Sequence, residues 1–234
     1  MALIKVHGIP LSGATAIVMI CLAEKGVPYE LIPVELAKGE HKSPSFLSKN
    51  VIILHTVWLI PALEDGTITL FESRAITRYV AHKYKGTGTD LLRHDKIEEA
   101  AMVGVWTEVE SQQFNPPAVK IIYQQFVAPV KGETPNQSII VESVKKLDQV
   151  FDVYEARLSN SKYLACDSFT LADLHHIPYI YYLMKTPWAD LITSRAHVKV
   201  WWDNIAARPS LLEAAQGIDE FAHFSMNRFQ FGSG

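Results

Sequence analysis

The chain has 234 residues, 48% hydrophobic and 20% charged, with a formal net charge of −3. That length suits one large domain or two modest ones, and the balance is that of a well-packed globule. The charge leaves no electrostatic footprint for a nucleic-acid partner, and the longest apolar run, Val51 to Ile60, is broken by His55 and Thr56 and is too short for membrane insertion. Two cysteines, Cys21 and Cys166, stand far apart in neither a metal nor a redox spacing. With an N-terminus that enters a strand-like alternation directly, the chain reads as a reduced, cytoplasmic protein holding no metal.

In chain order, Leu3 to His7 reads as a strand stopped by Gly8 and Pro10. Ser12 stands where a helix would begin, and Ala14 to Lys25 carries apolar residues at helical spacing up to Gly26. Tyr29 to Pro33 resembles a second strand, parallel to the first if the helix makes the crossover. Pro61 to Leu70 reads as a hairpin turning at Asp65-Gly66, and Glu72-Ser73 opens a helix running to about Tyr84. The polar stretch Lys85 to Asp90 is the expected linker, dividing an α/β domain (1–84) from an all-helical one (91–234). Helices are predicted over Ile97 to Phe114, Ala118 to Val127, Ser138 to Asn160, Thr170 to Leu183 and His197 to Ala207, with Pro116-Pro117 interrupting the first pair.

Four strings in this order carry a resemblance: Gly39 to Pro44 (GEHKSP), Pro61 to Gly66 (PALEDG), Leu70 to Thr77 (LFESRAIT) and Ser168 to Pro178 (SFTLADLHHIP). Together they resemble the phi class of plant glutathione S-transferases over nearly the whole chain. The resemblance implies a thioredoxin-like α/β N-terminal domain that holds glutathione as co-substrate. It also implies an all-α C-terminal domain that receives a small hydrophobic electrophile, and a homodimer. Glutathione peroxidase chemistry would be a side activity of the same thiolate.

Ser12 matches the catalytic serine of that family. A cysteine thiol titrates near 8.5, and each unit of lowering requires about 1.4 kcal/mol of preferential stabilisation of the anion. A hydroxyl donor at a helix N-terminus supplies it through hydrogen bonding and aligned backbone dipoles. The plain alternative is an N-cap. A serine here also excludes the mixed-disulfide chemistry of relatives with cysteine, and Cys21, set among Ile20, Leu22 and Ala23, reads as a buried inert thiol.

By the same resemblance, Glu72 and Ser73 hold the γ-glutamyl end of glutathione, with a capping pair as the alternative. His41 and Lys42 meet the glycyl carboxylate, or are simply solvated surface. Ile60-Pro61 corresponds to a cis bond that lets the backbone of Ile60 pair with the cysteinyl unit like an added strand, the ordinary alternative being a proline that starts an edge strand. Leu11, Phe114, Val119 and Tyr123 are candidates for the electrophile pocket, or else for the core. Thr170 and Asp173 form a capping box with no chemistry assigned.

The chain departs from the family between Asn50 and Pro61, where the stretch is five residues longer and has lost a Pro-Phe-Gly turn. Leu59 stands where a glutamine would bond glutathione, removing roughly 0.5–1.5 kcal/mol of binding. Ile17 replaces an arginine common on the first helix. These departures keep a second reading open, a non-catalytic carrier of hydrophobic ligands with an impaired glutathione site.

Overall fold

The computed structural model describes residues 3–34 and 60–231. The chain separates after Asp90 into two compact units, Met1–Asp90 and Leu91–Gly234.

In the first unit β1 (Ile4–Gly8) leads through α1 (Gly13–Glu24) to β2 (Tyr29–Pro33), and β3 (Ala62–Asp65) turns into β4 (Ile68–Phe71) before α2 (Ser73–Lys83). The sheet order is β2-β1-β3-β4, with β1 and β2 parallel and the other pairs antiparallel. The helical crossover is what allows the parallel pair. The hairpin turns at Gly66, whose φ of 65° lies in the left-handed region that glycine adopts without a Cβ penalty.

Every residue from Thr15 to Leu22 is buried, so α1 is enclosed on all sides rather than amphipathic. Cys21 is fully buried, its Sγ donates to the Thr77 carbonyl of α2 at 3.7 Å, and burial pushes its thiol well above the ordinary range. That makes it an inert core residue. The stretch expected as a polar linker is in part clamped to the end of α1. Thr89 donates its N–H to the Glu24 carbonyl (2.9 Å) and its hydroxyl to the Glu24 carboxylate (2.6 Å), while the buried Lys25 ammonium donates to the Thr89 carbonyl (2.7 Å). Gly88 makes the approach feasible, since a Cβ there would lie 2.2 Å from the Glu24 oxygen.

The second unit is helical. It comprises α3 (Ile97–Val109), α4 (Asn115–Ile122), α5 (Ala128–Val130), α6 (Gln137–Leu158), α7 (Leu171–Leu174), α8 (Ile177–Leu183), α9 (Asp190–Thr193), α10 (Ala196–Ala206) and α11 (Pro209–Phe231). Pro116 and Pro117 do not interrupt the rod as expected. The chain widens into a π-helical turn over Glu110–Phe114, closed by the Asn115 N–H on the Glu110 carbonyl, one residue before Pro116. A second π turn, Tyr123–Val127, is closed by the Ala128 N–H on the Tyr123 carbonyl, one residue before Pro129. A proline removes a donor and crowds the preceding turn, and the wider turn accommodates both effects without breaking the axis.

Thr170 to Leu183 is likewise two short helices rather than one, with Pro178 in the first turn of the second. The helix Pro209–Phe231 falls outside the predicted set. Its buried positions Leu211, Ala214, Ala215, Ile218, Ala222 and Ser225 keep helical spacing, but half of them are alanine and carry little hydrophobic signal.

Candidate active site

The strand register brings three loops to one end of the sheet. His7 of β1 pairs with Ala62 of β3, which pairs on its other side with Phe71 of β4. The C-terminal end of β1, the N-terminal end of β3 and the C-terminal end of β4 therefore lie side by side. From them emerge the segment holding Leu11 and Ser12, the Ile60-Pro61 bond and the Glu72-Ser73 pair. The Ser12 stretch, some fifty residues before the other two, meets them because antiparallel pairing reverses β3 between two strands that point the same way.

Ser12 is half-buried in extended backbone (φ −76°, ψ 120°) immediately before α1. Its Oγ accepts the Thr15 N–H at 3.4 Å, long for a capping bond, and a hydroxyl that accepts there still has its own proton to donate. Thr15 is fully buried beneath it, and its own Oγ1 has no hydrogen-bond partner among the described residues. Leu11, beside the serine, is 36% exposed.

The Ile60-Pro61 peptide bond is cis, with Ile60 half-buried and Pro61 buried at the head of β3. Glu72 is exposed and held at φ 64°, ψ 107°, a conformation that costs a non-glycine residue roughly 1–3 kcal/mol. It presents the N-terminus of α2 with no side-chain cap, and Ser73 is buried directly behind it. The candidate site thus has two helix N-termini, each with first-turn N–H groups that the helix itself does not pair and the positive end of a dipole, flanking a strand end. His41, Lys42 and Leu59 lie outside the described residues.

Of the electrophile-pocket candidates, Phe114 takes the core role instead. It is fully buried in a ring cluster with Phe151, Tyr154 and His176, at centroid distances of 5.9, 6.4 and 4.5 Å. Val119 is 42% exposed on α4, and Tyr123 follows four residues later, half-buried at the opening of the second π turn. Ile17, the departure on α1, is fully buried, which is why an apolar residue is stable there. Thr170 and Asp173 form the capping box with the expected geometry. Among the described residues no group of three metal-ligating side chains is assembled, and no helix is long and apolar enough to cross a membrane.

An α/β unit with this sheet order, a cis-proline at the head of β3 and open helix ends beside it, followed by a helical unit, defines the class to which the motifs pointed. Residues 2–82 match the model of the glutathione S-transferase N-terminal domain, and residues 114–209 that of the C-terminal domain. "Glutathione S-transferase F13" of Arabidopsis thaliana is 48% identical over 92% of this chain and 95% of its own. The crystal structure of glutathione transferase F7 from Populus trichocarpa superposes with a TM-score of 0.87 at 53% identity, covering 92% of this chain and 99% of that one. Glutathione S-transferase I from maize, in complex with an atrazine glutathione conjugate, gives a TM-score of 0.85 at 40% identity, covering 93% and 99%. The chain belongs to the glutathione S-transferase family, and its relatives are those of the plant phi class.

Proposed function

We propose that this glutathione S-transferase joins the glutathione thiolate to apolar electrophiles, with Ser12 as the residue that stabilises the thiolate. The observation that carries this reading is the β1-β3-β4 register, which sets the Ser12 hydroxyl, the cis Ile60-Pro61 strand end and the uncapped start of α2 at one end of the sheet. The γ-glutamyl carboxylate takes the N–H groups at the start of α2, Glu72 takes the ammonium, and the cysteinyl backbone pairs with Ile60. The thiol then lies towards Ser12. Its proton leaves to solvent, the Ser12 O–H donates to the sulfur anion, and the α1 dipole adds to the same field.

The sulfur lone pair forms a C–S bond with the electrophilic carbon. A leaving group departs with its bonding pair, or the carbon acceptor takes up a proton. Binding both reactants on one protein replaces a bimolecular encounter by an oriented one. We assign the electrophile contacts to Leu11, Val119 and Tyr123, and the glycyl carboxylate to His41 and Lys42. A homodimer in the cytoplasm completes the reading, and sedimentation as a monomer at micromolar concentration would remove the dimer from it.

The test is a pH titration of thiolate absorbance for glutathione bound to the wild type and to Ser12→Ala. The expected result is a thiol pKa below about 8.5 in the wild type that returns towards that value in the variant. Glutathione that binds with an unmoved pKa would take Ser12 out of its role and favour the ligand-carrier reading.

A further inference from the structure

The hydroxyl of Tyr123 is engaged within its own unit. It donates to Glu133 Oε2 at 2.8 Å, and its oxygen accepts from Lys131 Nζ at 3.3 Å, the same ammonium lying 5.1 Å from the ring centroid. These residues come together through a chain reversal. After the π turn and α5, Gly132 adopts φ 77°, and the Lys131 and Glu133 N–H groups both return to the Ala128 carbonyl, at 3.1 and 2.9 Å. The chain so turned back lays two charged side chains against a phenol eight and ten residues earlier. Further along, Gln124 Oε1 accepts the Asn136 N–H at 2.7 Å, and Asn136 caps α6. The returning strand is therefore fastened on both sides of the contact.

We propose that Glu133 and Lys131 are positioning residues that set electrophile selectivity by holding the only hydroxyl proton of Tyr123 away from substrate. A phenol has one proton to donate. While Glu133 takes it, Tyr123 offers substrate an aromatic wall rather than a donor, and the pocket favours electrophiles whose ring carries no hydrogen-bond acceptor. Released from Glu133, the same hydroxyl becomes a donor and the preference relaxes towards acceptor-bearing electrophiles. The inference rests on the assignment of Tyr123 to the electrophile pocket.

The experiment measures kcat and KM with two matched electrophiles, benzyl chloride and 4-nitrobenzyl chloride, which differ by one acceptor group. The reactivity difference between them cancels when variants are compared. Glu133→Ala should raise the ratio of kcat/KM for the nitro compound over the parent by roughly three- to tenfold, the range of one partly exposed hydrogen bond, chiefly through KM. The KM for glutathione should stay unchanged. Glu133→Gln should restore the wild-type ratio, because the amide oxygen still accepts the phenol proton. In a Tyr123→Phe background Glu133→Ala should have no effect, a coupling that a merely structural role for Glu133 would not produce.

An equal effect of Glu133→Ala in the two backgrounds, or no change of the ratio in either, overturns the proposal. Tyr123→Ala separates the two levels. If it leaves the KM of both chlorides unchanged, the pocket assignment of Tyr123 falls and the selectivity role with it. If it alters them while Glu133→Ala does not, only the selectivity role falls.

Discussion

Two helix starts, α7 in the helical unit and α2 in the α/β unit, are built in opposite ways. In the helical unit, the capping box at α7 is saturated. Asp173 is fully buried and accepts from the Leu164 N–H (3.0 Å), the Thr170 N–H (3.0 Å), the Thr170 hydroxyl (3.1 Å) and Trp201 Nε1 (3.0 Å). In the α/β unit, α1 has one long capping bond from Ser12, and α2 has no side-chain cap and a strained Glu72 in front of it. A start whose buried carboxylate is engaged by four donors holds structure together. A start left open at the candidate-site end of the sheet can receive a ligand, at a standing cost in stability.

The largest expected effect lies at the saturated end. Asp173→Ala would leave three buried donors and a tryptophan N–H without their acceptor, for a loss on the order of 3–5 kcal/mol in the urea unfolding free energy. The pH dependence has a definite sign. Burial outweighs the four donated bonds and raises the Asp173 carboxyl from 3.8 to about 6. A raised folded-state pKa contributes stability that is fully present below the unfolded value and is lost as pH rises through the folded one. The advantage of the wild type over Asp173→Asn, which does not titrate, should therefore widen as pH falls from 7 towards 4. A gap that narrows on acidification would show the carboxylate to be the favoured form.

The open end should respond in rate rather than stability. Ser12→Ala should lower kcat/KM by roughly two to three orders of magnitude, the scale of losing one oriented donor to a developing or resident anion. Its unfolding free energy should fall by no more than about 1 kcal/mol, because the capping bond it removes is long. A large stability loss with little loss of rate would reverse the contrast between the two kinds of helix start.

Gly8→Ala tests how tightly that end is built. An added Cβ would meet Thr15 Oγ1 at 2.5 Å and Cγ2 at 2.7 Å, for an expected loss of roughly 1–3 kcal/mol, largely recovered in a Gly8→Ala/Thr15→Ala pair. The smallest effect is at Glu72. Glu72→Gly relieves the positive φ but adds freedom to the unfolded chain, so stability should change by less than about 1 kcal/mol while the KM for glutathione rises. Thermal denaturation beside steady-state kinetics checks both halves.

Much of this was legible in the residues. The Asp65-Gly66 turn, the β1-α1-β2 crossover, the helix start at Ser73 and the capping box at Thr170 are local events, decided by residues within a few positions of one another. Their chemistry reads directly from sequence. Pro116-Pro117 misled because a proline's cost is normally met by ending the helix, whereas here a π turn absorbs it while the fully buried Phe114 and Ala118 keep both sides in the core. The helix Pro209–Phe231 was missed because half of its named buried positions are alanine and carry little hydrophobic signal. Phe114 could not be sorted between pocket and core, since an aromatic at helical spacing suits either until its neighbours are known.

The sequence by itself determined the family, the order of elements in the α/β unit and the place where each helix near the candidate site begins. All of these depend on short-range chemistry or on motifs that survive as strings. Only the tertiary structure decided that Ser12, Ile60-Pro61 and Glu72-Ser73 share one end of the sheet, that Phe114 is core, and that Tyr123 has its hydroxyl committed to Glu133 and Lys131. Those facts rest on strand register, on the packing of rings from α6 and of His176 just before α8, and on a reversal at Gly132, none of which the local sequence pattern reveals.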